Sequence, residues 1–192
     1  MAKRTIVLVR HGQYHPAKEN ELERLTTLGR KQASLVAKRL KENKIDRIVH
    51  STMPRAAETA AIIKQQLGFG RNFETCDQLR ECTPGFPKHL RKKHGYTDVK
   101  KLNTAKAQME KAFKKYFKTP RKDSLEVLVC HGNVIRYLVC RALGIDTLKW
   151  RELDILQCGI SVIEVNSKGS LRMILRSHND VGHIPKALRT FL

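Results

Sequence analysis

The chain has 192 residues, of which 41% are hydrophobic, so it is long enough for one sizeable core and short for two. Its 38 lysine and arginine residues outnumber 18 aspartate and glutamate residues, which gives a formal net charge of +20. This charge favours anionic partners, whether phosphorylated molecules, nucleic acid or an acidic surface, and does not choose among them. No segment reaches the length of a membrane span, so we expect no membrane partner.

The five cysteines are odd in number and have no CxxC spacing, so we expect reduced and mostly buried thiols. The N-terminal segment MAKRT is positively charged, but the apolar run after it has only four residues, IVLV. A secretory signal peptide needs a longer apolar region. These two observations predict a cytoplasmic protein.

The first predicted element is a strand within TIVLVRHG, residues 5–12. Residues 6–9 show no polar alternation, which is typical of a strand buried on both faces of a parallel sheet. Arg10 and His11 follow at its C-terminal end, the edge at which open α/β sheets bind ligands. Gly12 would let the backbone approach a ligand closely. Taken alone, a histidine at a strand end is more often a hydrogen-bonded turn residue than a catalytic one.

Helices and strands then alternate along the chain. A helix within residues 25–43 is capped by Thr26 or Thr27, and a second helix runs from Pro54 to Gly68. Residues 82–98 are rich in proline, glycine and cations and predict an irregular excursion. Further helices are predicted at residues 99–117 and 134–143, and further strands at 45–50, 73–76, 125–130, 160–165 and 171–175. The alternation predicts a three-layer α/β/α fold whose sheet is mostly parallel and ends in an antiparallel edge hairpin.

A second buried strand, LEVLVC, also ends in a histidine, because His131, Gly132 and Asn133 follow it directly. Two parallel strands would therefore bring His11 and His131 to the same edge of the sheet. The repetition favours a functional role for both histidines over the turn interpretation.

An arginine and a glutamate follow two other predicted strands. Arg55 lies in the first turn of its helix, where free N–H groups already favour an anion, and Arg10 would add a second guanidinium. Glu81 follows the strand at residues 73–76 and is the one acid among basic neighbours. The alternative interpretations are an exposed helix arginine and a surface-loop glutamate.

Five motifs occur in order over most of the chain: LVRHGQYHP, LTTLGRKQA, HSTMPRAAETA, LRE and CHGNVIRYLVCRALG. Together they resemble the histidine phosphatase, or phosphoglycerate-mutase-like, superfamily, and within it the mitochondrial serine/threonine protein phosphatases. The resemblance implies a phosphoglycerate-mutase-like fold in a single histidine phosphatase domain over residues 1–192. It also implies a phosphomonoester hydrolase that works through phosphohistidine, with a phosphorylated substrate such as a phosphoprotein.

The resemblance assigns roles to the strand-end residues. His11 would be the nucleophile and Glu81 the proton donor, with no metal and no other cofactor. The phosphate pocket would consist of Arg10, His11, Arg55, His131, Asn133 and Gly132.

Several alternatives stay open. Within the same fold these are a small-molecule phosphatase and a phosphoglycerate mutase, although Tyr14 stands where the mutase pattern has threonine. From another class, the alternative is a phosphate- or nucleic-acid-binding protein without catalysis, and the absence of an RNA-binding aromatic motif disfavours nucleic acid. A homo-oligomer is also left open. In the phosphatase interpretation we expect an open pocket with a cationic rim, formed by Lys88, Arg91, Lys92 and Lys93.

Overall fold

The computed structural model describes residues 2–16, 23–169 and 172–191. The strands are β1 (Lys3–Arg10), β2 (Arg47–His50), β3 (Phe73–Thr75), β4 (Ser124–Cys130), β5 (Ile160–Asn166) and β6 (Met173–Asp180). The helices are α1 (Thr27–Leu40), α2 (Pro54–Leu67), α3 (Lys88–Arg91), α4 (Val99–Tyr116) and α5 (Gly132–Ala142). The strands form one sheet in the order β3-β2-β4-β1-β5-β6.

The sheet brings the ends of its central strands to one edge. β1, β2, β3 and β4 run parallel, while β5 runs antiparallel to both β1 and β6. The predicted mostly parallel sheet with an antiparallel edge is therefore confirmed. Arg10 pairs with Cys130, so His11 and His131 leave the sheet side by side.

Alternate residues of β1 face opposite layers of helices, which explains why its central residues 6–9 are all apolar and buried. Ile6 and Leu8 are fully buried in a core formed with α4 and α5. Val7 and Val9 pack in a second core with α1 and α2. The predicted three layers follow from these two cores.

The helix boundaries agree with the signals in the sequence. Thr26 is the N-cap of α1, and its hydroxyl accepts a hydrogen bond from the Gly29 N–H at 3.0 Å. Pro54 begins α2, where its missing N–H costs no helical hydrogen bond. Gly68 ends α2 in a left-handed conformation, with φ of 60°.

The structure differs from the prediction at the last strand. β6 extends to Asp180, well beyond residue 175, while the predicted start at Leu171 lies outside the described residues. The additional residues, 176–180, are all polar, so they show no hydrophobic alternation that would indicate a strand. They are held at the sheet edge by side-chain hydrogen bonds such as that between Ser161 and His178, at 3.0 Å.

The excursion at residues 82–98 is irregular, as predicted, apart from the short α3. It has a small core of its own, in which Phe86 packs with Trp150 and Leu102. The Trp150 indole N–H donates to the Gly85 carbonyl at 3.1 Å, which fixes the excursion to the 3₁₀ helix Thr147–Glu152. This packing holds the excursion beside the end of β4.

All five cysteines are free, and four of them are buried, as predicted. The longest helix in the described ranges, α4, has 18 residues and carries six lysines. Within those ranges, no helix is both long and apolar enough to cross a bilayer.

Candidate active site

Three side chains meet where β1, β2 and β4 end. His11, Ser51 and His131 are the residues that follow these strands directly. The ring centroids of His11 and His131 are 5.1 Å apart, and the Ser51 hydroxyl lies 2.8 Å from His131 Nε2. The sheet register therefore brings together the two histidines that the sequence predicted.

The contacts of His11 define which ring nitrogen is free to react. Its Nδ1 lies 2.8 Å from the Gly12 carbonyl, which only accepts, so Nδ1 carries the proton. Its Nε2 accepts a hydrogen bond from Arg55 Nε at 3.2 Å, so this nitrogen carries the lone pair. Burial, and then the charge of Arg10, hold the pKa of His11 well below its ordinary value of 6.5. His11 is therefore a neutral imidazole whose Nε2 carries the lone pair, as the predicted role of nucleophile requires.

Two guanidinium groups influence this ring: Arg55 donates to its Nε2, and the charge of Arg10 lowers its pKa. Arg55, in the first turn of α2, is only 4% exposed. Arg10 donates from Nη1 to the Ile155 carbonyl at 2.6 Å, while its buried Nε has no hydrogen-bond partner among the described residues. Burial lowers the pKa of both groups from its ordinary value, but guanidinium stays charged at neutral pH. Both can bind phosphate oxygens.

His131 is fully buried on the other side of His11. Burial, followed by the neighbouring His11 and Arg55, holds the pKa of His131 well below 6.5, so the ring is neutral. Its Nδ1 is buried without a hydrogen-bond partner in the described part of the chain. If the Ser51 hydroxyl donates to Nε2, the proton of the ring lies on Nδ1 and can be donated to an anion.

The carboxyl group of Glu81 lies next to the N-terminus of α5, although Glu81 itself is not part of that helix. Its Oε2 is 3.5 Å from the Asn133 N–H, and its buried Oε1 has no partner among the described residues. Burial raises the pKa of Glu81 above 4.5, although the Asn133 N–H and then Arg10 oppose this shift. A carboxyl group with a raised pKa beside a nucleophile is suited to donate a proton.

Asn133 and Gly132 lie between Glu81 and the arginines. The Asn133 amide donates to the Cys82 carbonyl at 3.2 Å and accepts from Arg136 at 2.8 Å. A Cβ at Gly132 would lie 3.6 Å from Arg10 Nε, which is an ordinary contact distance, so Gly132 lies next to that guanidinium. Direct phosphate contacts by these two residues remain a prediction.

Gly12 lies where the backbone after β1 packs closely against the backbone of α1. A Cβ at this position would lie 2.5 Å from the Gly29 carbonyl oxygen, so Gly12 allows a close approach to α1. A close approach to a ligand remains a prediction. The Gly12 N–H donates to Thr59 Oγ1 at 3.0 Å, and Thr59 donates to the Arg55 carbonyl at 2.8 Å. These contacts fix the start of the loop after β1, at Gly12, to α1 and α2.

Three further residues of the site were not identified from the sequence as functional. Glu23 forms an ion pair with Arg55 Nη1. The Tyr14 ring lies 4.6 Å from the Arg55 guanidinium and meets the His11 ring edge-on at 5.2 Å. Ser51 could have been found, because it follows a buried strand in the same way as His11 and His131.

Among the described residues, the His11 side chain is enclosed, whereas the sequence predicts an open pocket. His11 is 2% exposed, since Tyr14 and the Glu23–Arg55 pair lie against it. A cavity of about 580 Å³ adjoins Glu81 and Asn133 and extends along Tyr96 and α4.

The predicted cationic rim is only partly exposed. Lys88, Lys92 and Lys93 are exposed. Arg91 is half-buried, and its Nε donates to the Phe86 carbonyl at 2.8 Å. Arg91 therefore supports the excursion instead of facing solvent with the three lysines.

Comparison with curated proteins finds relatives along nearly the whole chain. The chain is 37% identical over 190 residues to a Caenorhabditis elegans protein named serine/threonine-protein phosphatase Pgam5, mitochondrial. It is 38% identical over 191 residues to the human protein of that name. Each alignment covers 96% of this chain and 65% of the relative, so the chain spans just under two thirds of the relatives' length.

These names contradict the prediction of a cytoplasmic protein, because the relatives are named as mitochondrial. The prediction rested on reduced thiols and on a short N-terminal apolar run. Neither feature is specific to the cytosol, since other reducing compartments permit free thiols and other targeting segments need no apolar run.

Solved structures with the same fold include phosphoglycerate mutase from Plasmodium falciparum, with a TM-score of 0.67 and 30% identity. That match covers 97% of this chain and 96% of the mutase. YhfR from Bacillus stearothermophilus has a TM-score of 0.74 at 20% identity, and the match covers 95% of this chain and all of that one. The predicted phosphoglycerate-mutase-like fold is confirmed.

The model of one protein family also matches the sequence. Residues 6–175 match the histidine phosphatase superfamily (branch 1), a range that contains every residue assigned to the site above. The resemblance inferred from the five motifs is confirmed. The chain therefore belongs to branch 1 of the histidine phosphatase superfamily.

Proposed function

We propose that this chain hydrolyses phosphomonoesters through a phosphohistidine at His11, without a metal. The observation that carries the proposal is the lone pair of His11 Nε2, which lies beside Arg55 in a buried site that also contains Arg10 and His131. Guanidinium groups stabilise the charge on the nonbridging oxygens of a loose phosphoryl transition state. The names of the Pgam5 relatives support the same activity.

In the first step, His11 Nε2 attacks phosphorus. An N–P bond forms, the bond between phosphorus and the leaving oxygen breaks, and protonated Glu81 transfers its proton to that oxygen. The raised pKa of Glu81 supports this role, because the carboxyl group retains its proton above the usual range. The products are an alcohol, a phosphohistidine and a Glu81 carboxylate.

In the second step, the Glu81 carboxylate removes a proton from water. The water oxygen bonds to phosphorus, the N–P bond breaks, and its electron pair returns to His11 Nε2. Orthophosphate leaves, and Glu81 is protonated again. One carboxyl group thus serves as acid and then as base.

For the substrate we propose phosphoserine and phosphothreonine in proteins, and for the location mitochondria. Both assignments follow the names of the relatives. The cavity of about 580 Å³ beside Glu81 gives the leaving group a place, since the proton donor lies in its wall. The exposed Lys88, Lys92 and Lys93 favour acidic residues near the phosphate, through weak contacts that fade with salt.

A second candidate is phosphoglycerate mutase, because the Plasmodium falciparum mutase has 30% identity to this chain. The site contains Tyr14 where the mutase motif has threonine, and the ring of Tyr14 lies against both His11 and Arg55. This ring occupies space beside the nucleophile and disfavours the mutase.

The test is a comparison of kcat/KM for phosphopeptides with acidic and neutral flanks, 3-phosphoglycerate and a small aryl phosphate, with and without a strong chelator. We expect the acidic phosphopeptide to be hydrolysed best, with activity unchanged by chelation. A preference for 3-phosphoglycerate, or conversion of it to an isomer, would contradict the protein phosphatase assignment. Activity that chelation abolished and Mg²⁺ restored would contradict the metal-free mechanism.

A further inference from the structure

A cationic cavity lies at the end of the sheet opposite the catalytic histidines. It has a volume of about 740 Å³, within the range of cavities that hold small ligands, and it lies where β1, β2 and β4 begin. Its cationic side chains are those of Arg4, Arg47, Arg71, Lys118, Arg121 and Lys122. Asp46 and Glu126 are the acids in the lining, so four positive charges are in excess.

Part of this cavity has a fixed structure. Glu126 is only 5% exposed and lies between two arginines, with Oε1 3.2 Å from Arg4 Nε and Oε2 2.5 Å from Arg47 Nη2. The Asp46 carboxylate accepts a hydrogen bond from the Leu125 N–H at 2.8 Å. The two acids thus already have ion-pair or hydrogen-bond partners in the protein, and these contacts fix their part of the cavity lining.

The other cations of the cavity are not neutralised. Arg71, Lys118, Arg121 and Lys122 are exposed, and their side chains form no ion pair or hydrogen bond with any described residue. Ser124 also lines the cavity, and its buried hydroxyl has no hydrogen-bond partner in the described ranges. A ligand with several anionic oxygens would satisfy both the cations and this hydroxyl.

The geometry points to a binding site for linked phosphates, supplied either by a nucleotide or by an inorganic polyphosphate chain. One guanidinium group can donate two parallel hydrogen bonds to the oxygens of a phosphate. The four excess positive charges of the cavity match a chain of linked phosphates better than a single phosphate ion. Among the described residues of the lining there is no aromatic side chain on which a nucleobase could stack. Because single-stranded nucleic acid is bound through such stacking, the lining favours a phosphate chain over a nucleic acid.

The test measures binding of tripolyphosphate, ATP, orthophosphate and a short single-stranded DNA by calorimetry. The pocket variant is Arg71→Gln with Arg121→Gln, and its matched control is Lys31→Gln with Lys111→Gln, two exposed lysines outside the cavity. Both variants lose two positive charges. We expect the pocket variant to bind tripolyphosphate more weakly by on the order of tenfold, and the control by no more than about twofold. Turnover of an aryl phosphate should be unchanged in both.

The arms of the test distinguish the sources of phosphate and the competing sites. Tighter binding of ATP would identify a nucleotide as the source, and tighter binding of tripolyphosphate a polyphosphate chain. An equal loss of tripolyphosphate binding in the control variant would mean that the general surface charge binds it and not this cavity. Tripolyphosphate binding that is lost in Arg55→Gln but kept in the pocket variant would assign it to the catalytic site. Either result would overturn the inference, as would equally tight binding of orthophosphate or tighter binding of the DNA.

Discussion

The Glu23 carboxylate is paired with Arg55, the same guanidinium that donates to Nε2 of His11. A substrate phosphate must compete with this carboxylate for Arg55. We therefore expect Glu23→Gln to bind orthophosphate more tightly by about fivefold, since a partly exposed ion pair contributes ~1 kcal/mol. The inhibition constant of orthophosphate measures this effect, and Glu42→Gln, at an exposed position, is the control. Weaker phosphate binding in Glu23→Gln would mean that Glu23 positions Arg55 and does not compete.

Glu81 should matter most when the leaving group is poor. General acid catalysis contributes on the order of 10²–10⁴-fold when the leaving oxygen needs a proton, and aryl oxygens need it least. We expect Glu81→Gln to slow phosphoenzyme formation from an alkyl phosphate far more than from an aryl phosphate. Rapid-quench measurements of the two substrates give this ratio. Equal losses for both would assign the proton to another acid.

The pKa shifts of His11 and Glu81 predict the pH dependence of kcat/KM, which reports the free enzyme. Because the pKa of His11 is lowered, the imidazole stays neutral as the pH falls, and the acid limb should lie below 6.5. Because the pKa of Glu81 is raised, the protonated acid persists above pH 4.5, and alkyl phosphate hydrolysis should fall as the pH rises through the raised value. Glu81→Gln should remove this alkaline limb. A wild-type acid limb at or above 6.5 would show a normally titrating His11.

Substitution of Gly12 tests the packing between the start of the loop after β1 and helix α1. A methyl group there would lie 2.5 Å from the Gly29 carbonyl oxygen, whereas a methyl group at Gly70 would meet nothing within 4 Å. We expect Gly12→Ala to lower the free energy of unfolding by about 1–3 kcal/mol, as overpacking does, and Gly70→Ala to lower it far less. Urea denaturation compares the two variants. Equal stability would mean that the loop moves away from α1 without cost.

The sequence predicts that the two histidines meet, because strand ends in a parallel sheet follow from local patterns. IVLV and LEVLVC identify two buried strands, and parallel pairing then brings His11 and His131 together. Arg55 is predictable in the same way, since it follows Pro54 at the start of a helix. These elements need no knowledge of tertiary contacts beyond the order of the strands.

Other features depend on contacts that a local pattern does not contain. Glu23 lies in a stretch without periodicity, so its pairing with Arg55 follows only from the path of the chain after β1. The excursion suggests an open pocket by its composition, but Phe86 and Trp150 pack it into a small core. The polar end of β6 is held by hydrogen bonds, and hydrophobic alternation does not reveal it.

The most direct test of the mechanism is the position of the phosphoryl group on the trapped enzyme. Rapid quenching during turnover, followed by ³¹P NMR and peptide mapping, should find acid-labile phosphate on Nε2 of His11. The reason is that Nδ1 is bound to the Gly12 carbonyl, while Nε2 carries the lone pair beside Arg55. His11→Ala should lose both the phosphoenzyme and the activity. Phosphate on Nδ1 or on another residue, or full turnover by His11→Ala, would contradict the mechanism.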